Sequence, residues 1–433
     1  MSFDETNLVP NAGLLPAAVL AQRLDLAGLI DRRLHLARHG ANSGAKALSV
    51  IGSMLAGGDS IDDVAVLQAG AASALFDGTR APSTVGSWLR SHKWSNVRQL
   101  DAVSRELLAR LWAAGAGPAD LAAPLTIDLD STIVAVHGRA KQGAAFGYTK
   151  VRGYHPQLAT CAQTGQVLMS RLRGGSAGAA RGASSFLTET VSRVRGAGAT
   201  GGLTVRADSA FYSKAVIATA AKFDVRFSIT CRQDKRLRAA IEAIDEDAWQ
   251  PIPYWLSTPE VSGADIAETP FTVFAADKRH ARQVRLVVRR VRPTPGSQLA
   301  LFTTWGYHAF VTDRSLPLPD VEADHRRHAI VEQSIAELKS AGLAHLPSGK
   351  FTANAAWLAL TVMAHNLGRA VGQLAGPDLD TATAATLRRK VFTMPGRLVH
   401  TGRRRHLRLP AHWPWADPVR LALTRITAIP LRC

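Results

Sequence analysis

The sequence predicts a mixed α/β fold with helical material ahead of it. Three observations lead there. Short apolar segments punctuated by Gly and Pro recur between Pro124 and Cys231, beginning with the alternating run LTIDLDSTIVAVHG, as strands do. Two intervals among them, SSFLTETVSRVRGAG and SKAVIATAAKF, carry apolar residues at helical spacing. The first segment, to about Gly117, has helical periodicity in LAQRLDLAGLIDRRLHLA and VRQLDAVSRELLARLWAA.

Within residues 1–117, Pro82 and Ser83 precede TVGSWLRSHKW, a helix start running into a basic, aromatic helix. This helix resembles the second helix of a helix-turn-helix and suits a small bundle equally well; both readings stay open. A Gly/Ala/Pro stretch, AAGAGPADLAAP, reads as a linker. In residues 124–231, alternation puts Ile127 and Leu129 on one face of the first strand and Asp128 and Asp130 on the other. YHPQLATCA and GQVLMSRLRGG read as two strands joined by a turn. A helix, the strand LTVRADSAF, a second helix and the strand VRFSITC follow. Three strands, then helix, strand, helix, strand is the element order of a ribonuclease H-like α/β fold. Residues 232–313 break that rhythm with the β-prone pieces FTVFAA, QVRLVVRRVR and LALFTTWGYHAFVT, and are expected to be a mostly β insertion. Residues 314–376 return to helix in HAIVEQSIAELKSAGL and AAWLALTVMAHNLGRAVGQLA, the second largely buried with Trp357 in the core. Residues 377–433 form a basic C-terminal tail, with Arg388–Lys390 and GRLVHTGRRRHLRLP.

Lys and Arg total 52 against 34 Asp and Glu, a net charge of +18 over 433 residues. Such an excess favours a polyanionic partner, because each contacted phosphate releases counterions. The rival partners are RNA, for which the usual aromatic recognition motif is missing, and an anionic membrane surface. No apolar run reaches the ~18 residues that a membrane span needs, so no membrane partner is expected. The opening MSFDETNLVPN is acidic and polar, unlike a secretory leader. Cys161, Cys231 and Cys433 are scattered, with neither metal-ligand spacing nor a disulfide framework, which suits a reducing cytoplasm. The Gly-rich RGGSAGAARGAS lacks the Lys-Ser/Thr ending of a nucleotide-binding loop.

Phosphodiester chemistry needs an activated oxygen nucleophile, in-line geometry and neutralisation of developing charge, which two metal ions supply together. Mg²⁺ prefers hard oxygen ligands, so its trace in a sequence is isolated carboxylates at the ends of different elements. Asp130 ends the charged face of the first strand, Asp208 ends LTVRAD, and Glu332 lies early in HAIVEQSIAELK. In a ribonuclease H-like sheet the first and fourth strands are neighbours, so the three can meet. On the helix, steps of about 100° put His325, His328, Glu332 and Lys339 along one stripe and Val331, Ile335 and Leu338 along an apolar one. Glu337 points away from Glu332 and is expected at the surface.

From Pro124 to Pro410 the chain resembles the DDE insertion-sequence transposases of the ribonuclease H-like superfamily. Their third acid lies in a Tyr-x2-Arg-x3-Glu-x6-Lys signature. Glu332 and Lys339 stand at that spacing, with His325 in place of the Tyr, His328 in place of the Arg, and Arg326 and Arg327 alongside. IDLDST resembles the first-acid motif and selects Asp130 over Asp128; VRADSAFYS resembles the second. GYHPQL, ELKSAGLAHLPSGKFTANAAWL, NLGR and the basic LRLP tail resemble the insertion-sequence group numbered thirteen-eighty. The resemblance implies a bacterial, cytoplasmic, nucleoid-associated enzyme that uses Asp130, Asp208 and Glu332 with two Mg²⁺ or Mn²⁺ ions. It implies cutting and joining of double-stranded DNA, at terminal inverted repeats and a target, by a homodimer whose residues 1–117 bind the ends. DNA contacts are expected from Lys339, Arg326, Arg327, His325 and His328. Further contacts are expected from Tyr148, Lys150 and Arg152 in FGYTKVRGYHP, where His155 also lies, and from Arg403, Arg404 and Arg405. Trp249, Trp255 and Trp305 fall in the insertion and read either as base-stacking aromatics or as β-domain core. Two other functions share these residues: a ribonuclease H-like nuclease without strand transfer, and a DNA-binding derivative with a dead site.

Overall fold

The computed structural model describes residues 1–76, 78–147, 149–254, 263–292, 305–402 and 404–432. The N-terminal helices are α1 (Leu15–Arg23), α2 (Leu26–Arg33), α3 (Ser43–Ala56), α4 (Pro82–Arg90) and α5 (Trp94–Ala113). Two stretches that read as single helices are divided. The first breaks at Leu24, because Asp25 takes a left-handed φ of 51° before α2 begins. The second, TVGSWLRSHKW, ends at Arg90. The buried His92 ring there hydrogen-bonds the carbonyls of Trp88 (3.0 Å) and Leu89 (3.2 Å), and Lys93 turns out in extended conformation to start α5. Trp88 of α4 is buried, with its indole N–H donating to Ser43 Oγ at 3.1 Å.

A nine-stranded mixed sheet follows. Its strands are β1 (Leu125–Ser131), β2 (Gln157–Cys161), β3 (Val167–Arg171), β4 (Leu203–Ala207), β5 (Val225–Thr230), β6 (Gln250–Ile252), β7 (Ala264–Val273), β8 (Arg282–Val291) and β9 (Gly306–Thr312). They lie in the order β6-β7-β8-β9-β5-β4-β1-β2-β3. β1, β4 and β5 are parallel to one another; the other pairings are antiparallel. The connections account for this. β2 and β3 are joined by a tight turn, as antiparallel neighbours can be, whereas β4 reaches β5 through α7 (Lys214–Lys222), with α6 (Ala183–Gly196) packed beside it. β7, β8 and β9 continue this same sheet, β9 pairing Phe310 with Thr230 of β5. The strand piece LALF of the sequence reading lies outside the described residues.

Beyond the sheet, α8 (Leu318–Arg326) runs through a single tighter turn, Arg327–Ala329, into α9 (Ile330–Leu338). A wide turn, Lys339–Leu343, ends it at Gly342, whose φ of +119° a side chain would resist. The Gly342 carbonyl accepts the indole N–H of Trp357 at 2.8 Å. Trp357 belongs to α10 (Phe351–Leu374), buried along nearly its whole length as its apolar composition predicts. This helix packs against α1, α3, α4 and α5, so the N-terminal helices, the sheet and the C-terminal helices share one apolar core. The chain ends meet as well. Leu8–Val9 pairs with β10 (Gly396–Thr401), which forms a hairpin with β11 (Arg404–Arg408), and α11 (Ala416–Ala428) packs on α1. Among the described residues no single helix is long and apolar enough to cross a membrane.

Candidate active site

Asp130 and Asp208 are neighbours by register. β1 and β4 run parallel with Leu129 beside Ala207, so the next residues, Asp130 and Asp208, stand at adjacent strand ends, about 5 Å apart by the spacing of paired strands. Asp208 caps the turn after β4, its Oδ1 accepting the Ala210 N–H at 3.0 Å. Asp130 Oδ1 accepts its neighbour Ser131 N–H at 2.6 Å. Burial pushes the Asp130 carboxyl up to about 6, and the charges of Asp208 and Glu332 push the same way, against the Ser131 hydrogen bond and His328. Burial also raises Asp208, opposed by the Ala210 hydrogen bond, His328 and Arg232. Glu332 is exposed in the first turn of α9, close enough for its charge to be felt at Asp130.

The alternation of β1 placed Asp128 and Asp130 on one face, and the structure gives them opposite surroundings. Asp128 is fully buried and lies beside Arg206 in the β1–β4 register. Arg206 grips it with two hydrogen bonds of 2.8 Å, from Nε to Oδ1 and from Nη2 to Oδ2. His328 donates to the same carboxylate, with Nδ1 2.9 Å from Oδ1. Arg206 also bonds the backbone carbonyl and the carboxylate of Asp324 in α8, and Arg314 pairs with Asp324 in turn. Asp128 therefore binds the helix to the sheet. By contrast, among the described residues none of Asp130, Asp208 and Glu332 forms a salt bridge.

Sequence reasoning missed this second layer. Its one local signal was an Arg in the middle of the otherwise apolar strand LTVRA. Reasoning also misplaced Glu337. It is buried, because α10 covers the side of α9 that a helical projection leaves open; Gln333 donates to it at 3.1 Å, and His365 lies 3.9 Å away.

The remaining expected residues are distributed as follows. His325 is packed flat on Phe310, with ring centroids 3.9 Å apart, and is hydrogen-bonded to Ser228 (2.7 Å) and Thr230 (3.1 Å). Burial, reinforced by His328 and nearby arginines, holds its pKa well below the usual histidine value. Arg326 pairs with Glu322 at 3.2 Å, and Arg327 is exposed. Lys339 borders a cleft shared with Ile133, His137, Lys141 and His345. Lys150 is exposed with a φ of 58°, while Arg152 donates to the carbonyls of Gly138 and Arg139. His155 is buried between the Ala177 carbonyl (2.7 Å) and the Oγ of Ser131 (2.9 Å), the residue after Asp130. Trp249 and Trp305 each lie 4.4 Å from the Arg290 guanidinium, one ring on each contact, and Arg290 pairs with Glu246 and Asp265. Arg404 and Arg405 are exposed on β11. Tyr148, Trp255, Arg403 and Cys433 lie outside the described residues.

Carboxylates gathered at the ends of parallel strands are a donor set for hard divalent cations. Among the described residues no group of three or more His, Cys, Asp or Glu side chains stands close enough to hold a metal ion; Asp130 and Asp208 offer two carboxylates at adjacent strand ends. An open site of this kind fits Mg²⁺, which is usually held by one or two carboxylates together with water and substrate phosphate.

The protein is a transposase. Residues 1–431 match the family model described as transposase DDE domain group 1, and the chain belongs to that family. Members of the family generally use divalent metal ions. No curated protein matches the chain. Among solved structures, the piggyBac transposase synaptic complex with hairpin DNA is similar at 11% identity and a TM-score of 0.42, over 90% of this chain and 80% of that one.

Proposed function

We propose that this transposase cuts the ends of an insertion sequence and joins them to target DNA through a ribonuclease H-like centre of Asp130, Asp208 and Glu332. One observation carries the reading: in a chain of net charge +18, none of these three carboxylates forms a salt bridge among the described residues. The sheet order β3-β2-β1-β4-β5, with β2 alone antiparallel to the other four strands, supports the ribonuclease H-like assignment. Asp130 and Asp208 would hold the metal from the strand ends and Glu332 from the helix. Two divalent ions, Mg²⁺ or Mn²⁺, would supply charge neutralisation and an activated oxygen nucleophile when bound. Asp128 is excluded from that role, since Arg206 and His328 occupy both of its oxygens. His328 orients against Asp128, and Lys339 holds a phosphate beside the scissile one as an adaptable point charge. Residues 1–117 and the basic C-terminal segment grip double-stranded DNA, with the protein acting as a homodimer on its two ends.

The test is the purified protein with a labelled inverted repeat from the ends of its own element, a target plasmid, and Mg²⁺ or Mn²⁺. Cleaved ends joined to the plasmid are expected. Asp130→Ala, Asp208→Ala and Glu332→Ala should each abolish cleavage and leave end binding within about threefold, because affinity comes from basic contacts elsewhere. Near-wild-type cleavage by one variant removes that residue from the site. Cleavage without joined product identifies a nuclease instead.

A further inference from the structure

We propose that the hairpin β10–β11 is a DNA-reading ribbon that enters the major groove of the bound duplex. The proposal rests on the DNA-acting function above and adds to it where the duplex is gripped and by which side chains.

The register of the hairpin sorts its residues onto two faces. Leu398 and Leu407 lie opposite each other and pack onto Val9, Ala12, Ala71 and Ala72, which fixes the base of the ribbon on the N-terminal part of the chain. The other face presents Arg397 opposite Arg408, Val399 opposite His406 and Thr401 opposite Arg404, while His400 and Arg405 share the Leu398 and Leu407 face, one pair further toward the tip. Like charges directly opposite one another in a sheet cost stability. Arg397 has its counter-charge, Glu5, at 3.2 Å. Among the described residues no ion pair reaches Arg404, Arg405 or Arg408, and all three are exposed. The sequence removes any local remedy: no Asp or Glu occurs between Asp380 and Asp417. The charge on this ribbon is therefore left for a partner outside the chain, and that partner is anionic.

The shape selects duplex DNA among anions. Paired strands lie about 4.8 Å apart, and the major groove, about 12 Å wide, admits a two-stranded ribbon with its side chains, whereas the minor groove, about 6 Å wide, does not. Arg404 and Arg408 then reach guanine N7 and O6 edges from one face, and Arg405 reaches a flanking phosphate from the other near the tip, on a support that Leu398 and Leu407 hold rigid. β11 is also a sheet edge, where charge alone can serve to keep other strands from pairing; the experiment separates these two roles.

The full-length protein is titrated, across a range of KCl concentrations, with a duplex carrying the element's inverted repeat and with a scrambled duplex of equal length. Three proteins are compared: wild type, the triple variant Arg404→Ala/Arg405→Ala/Arg408→Ala, and the triple variant with Glu at the same positions. At about 0.9 in slope per phosphate, the Ala variant should flatten log K against log salt by up to about 3 and bind at least about 30-fold more weakly. The Glu variant should bind more weakly still, with both melting as the wild type does. Dimethyl sulfate protection of guanine N7, a major-groove atom, should appear with wild type and vanish with the Ala variant. Unchanged affinity, slope and N7 protection in the Ala variant overturn the proposal. So does an Ala variant that aggregates while the Glu variant stays monodisperse and binds like wild type, which is the signature of an edge guard. A slope change without any wild-type N7 protection overturns the groove placement. A wild-type protein that binds neither duplex overturns the DNA-acting function itself, a result distinct from all of these.

Discussion

Replacing Asp130 with Asn should make the metal-free protein more stable while it abolishes cleavage. Burial, then the charges of Asp208 and Glu332, raise this carboxyl from 3.8 to about 6. The sign follows from linkage: a carboxyl whose folded-state pKa lies above its unfolded value adds stability below the unfolded pKa, and that stability is lost as pH rises through the folded one. Wild type should therefore lose stability between about pH 4 and pH 7 through this residue, and the Asn variant should not. A shift of about two units corresponds to about 3 kcal/mol at neutral pH. Asp130 is partly open to water, and solvent screening reduces this to about 1–2 kcal/mol. An unfolding entropy of about 2.1 cal/mol/K per residue makes that a Tm difference of about 1–2 °C for a chain of this length. Asn keeps the acceptor for the Ser131 N–H, so no hydrogen bond is lost with the charge. Calorimetry in chelator from pH 4 to pH 8 should find the two proteins equal at the acid end and the variant ahead at pH 7.5. Saturating Mg²⁺ should reverse the order, since ligand at a hundred times its Kd stabilises the binding-competent protein by about 2.7 kcal/mol. A variant that melts at or below wild type throughout, with no gap opening above pH 6, would refute the account of Asp130 as a strained, unpaired carboxylate.

Two further outcomes follow from the same geometry. Asp128→Ala should lower stability by about 3 kcal/mol, because it leaves Arg206 buried with only Asp324 as counter-charge; urea unfolding checks this, and a midpoint equal to wild type would count against it. Lys339→Ala should slow single-turnover cleavage about tenfold or more yet retain the Mg²⁺-dependent rise in Tm, with Lys339→Arg recovering part of the rate; cleavage at the wild-type rate at every salt concentration would make Lys339 an ordinary solvated lysine.

Local pattern carried much of this structure. Alternation in LTIDLDS gave a strand with Ile127 and Leu129 inward, and from Gln157 to Thr230 the order of strands and helices matches the elements observed, though sequence reasoning missed the small sheet of Val134–Ala135, Ala145–Phe146 and Arg152–Tyr154. It also put Asp130 and Asp208 at the ends of strands, since strand-end carboxylates after apolar runs are visible in one dimension, and the parallel register sets them side by side. What escaped depends on contacts distant in sequence or on single backbone angles. Helical periodicity runs unbroken through Asp25 and Ser91, and nothing in it announces a left-handed residue or the His92 ring bonding back to carbonyls. Glu337 was assigned to solvent because a helical projection shows the faces of α9 and not the α10 surface laid over one of them. Asp128 and Arg206 are 78 residues apart, and Asp128 and His328 are 200 apart, so no window of sequence could pair them.

That distant pairing raises the question of what the buried charge network is for. Ionic groups taken out of water gain little net stability, and well-packed apolar replacements of similar volume are often as good or better. The Asp128–Arg206–Asp324 chain would then serve position instead, since it is the polar tie between β1, β4 and α8, the helix that runs straight into the one bearing Glu332. It also gives His328 its carboxylate partner one turn before Glu332. The double variant Asp128→Leu/Arg206→Met distinguishes position from stability. It should melt within about 2 °C of wild type, because no unpaired buried charge remains between β1 and β4. Its cleavage should nevertheless fall about a hundredfold, as misplacement of reacting groups by about 1 Å can cost that much. Its affinity for end DNA should stay unchanged, since neither residue is exposed. If the double variant cleaves as wild type does, packing alone holds Glu332 against the strand ends, and the ion network has no part in setting the site. If it cleaves poorly but also melts far below wild type, the network is a stabilising element after all, and the single variants Asp128→Leu and Arg206→Met should then lose stability in proportion to their lost activity.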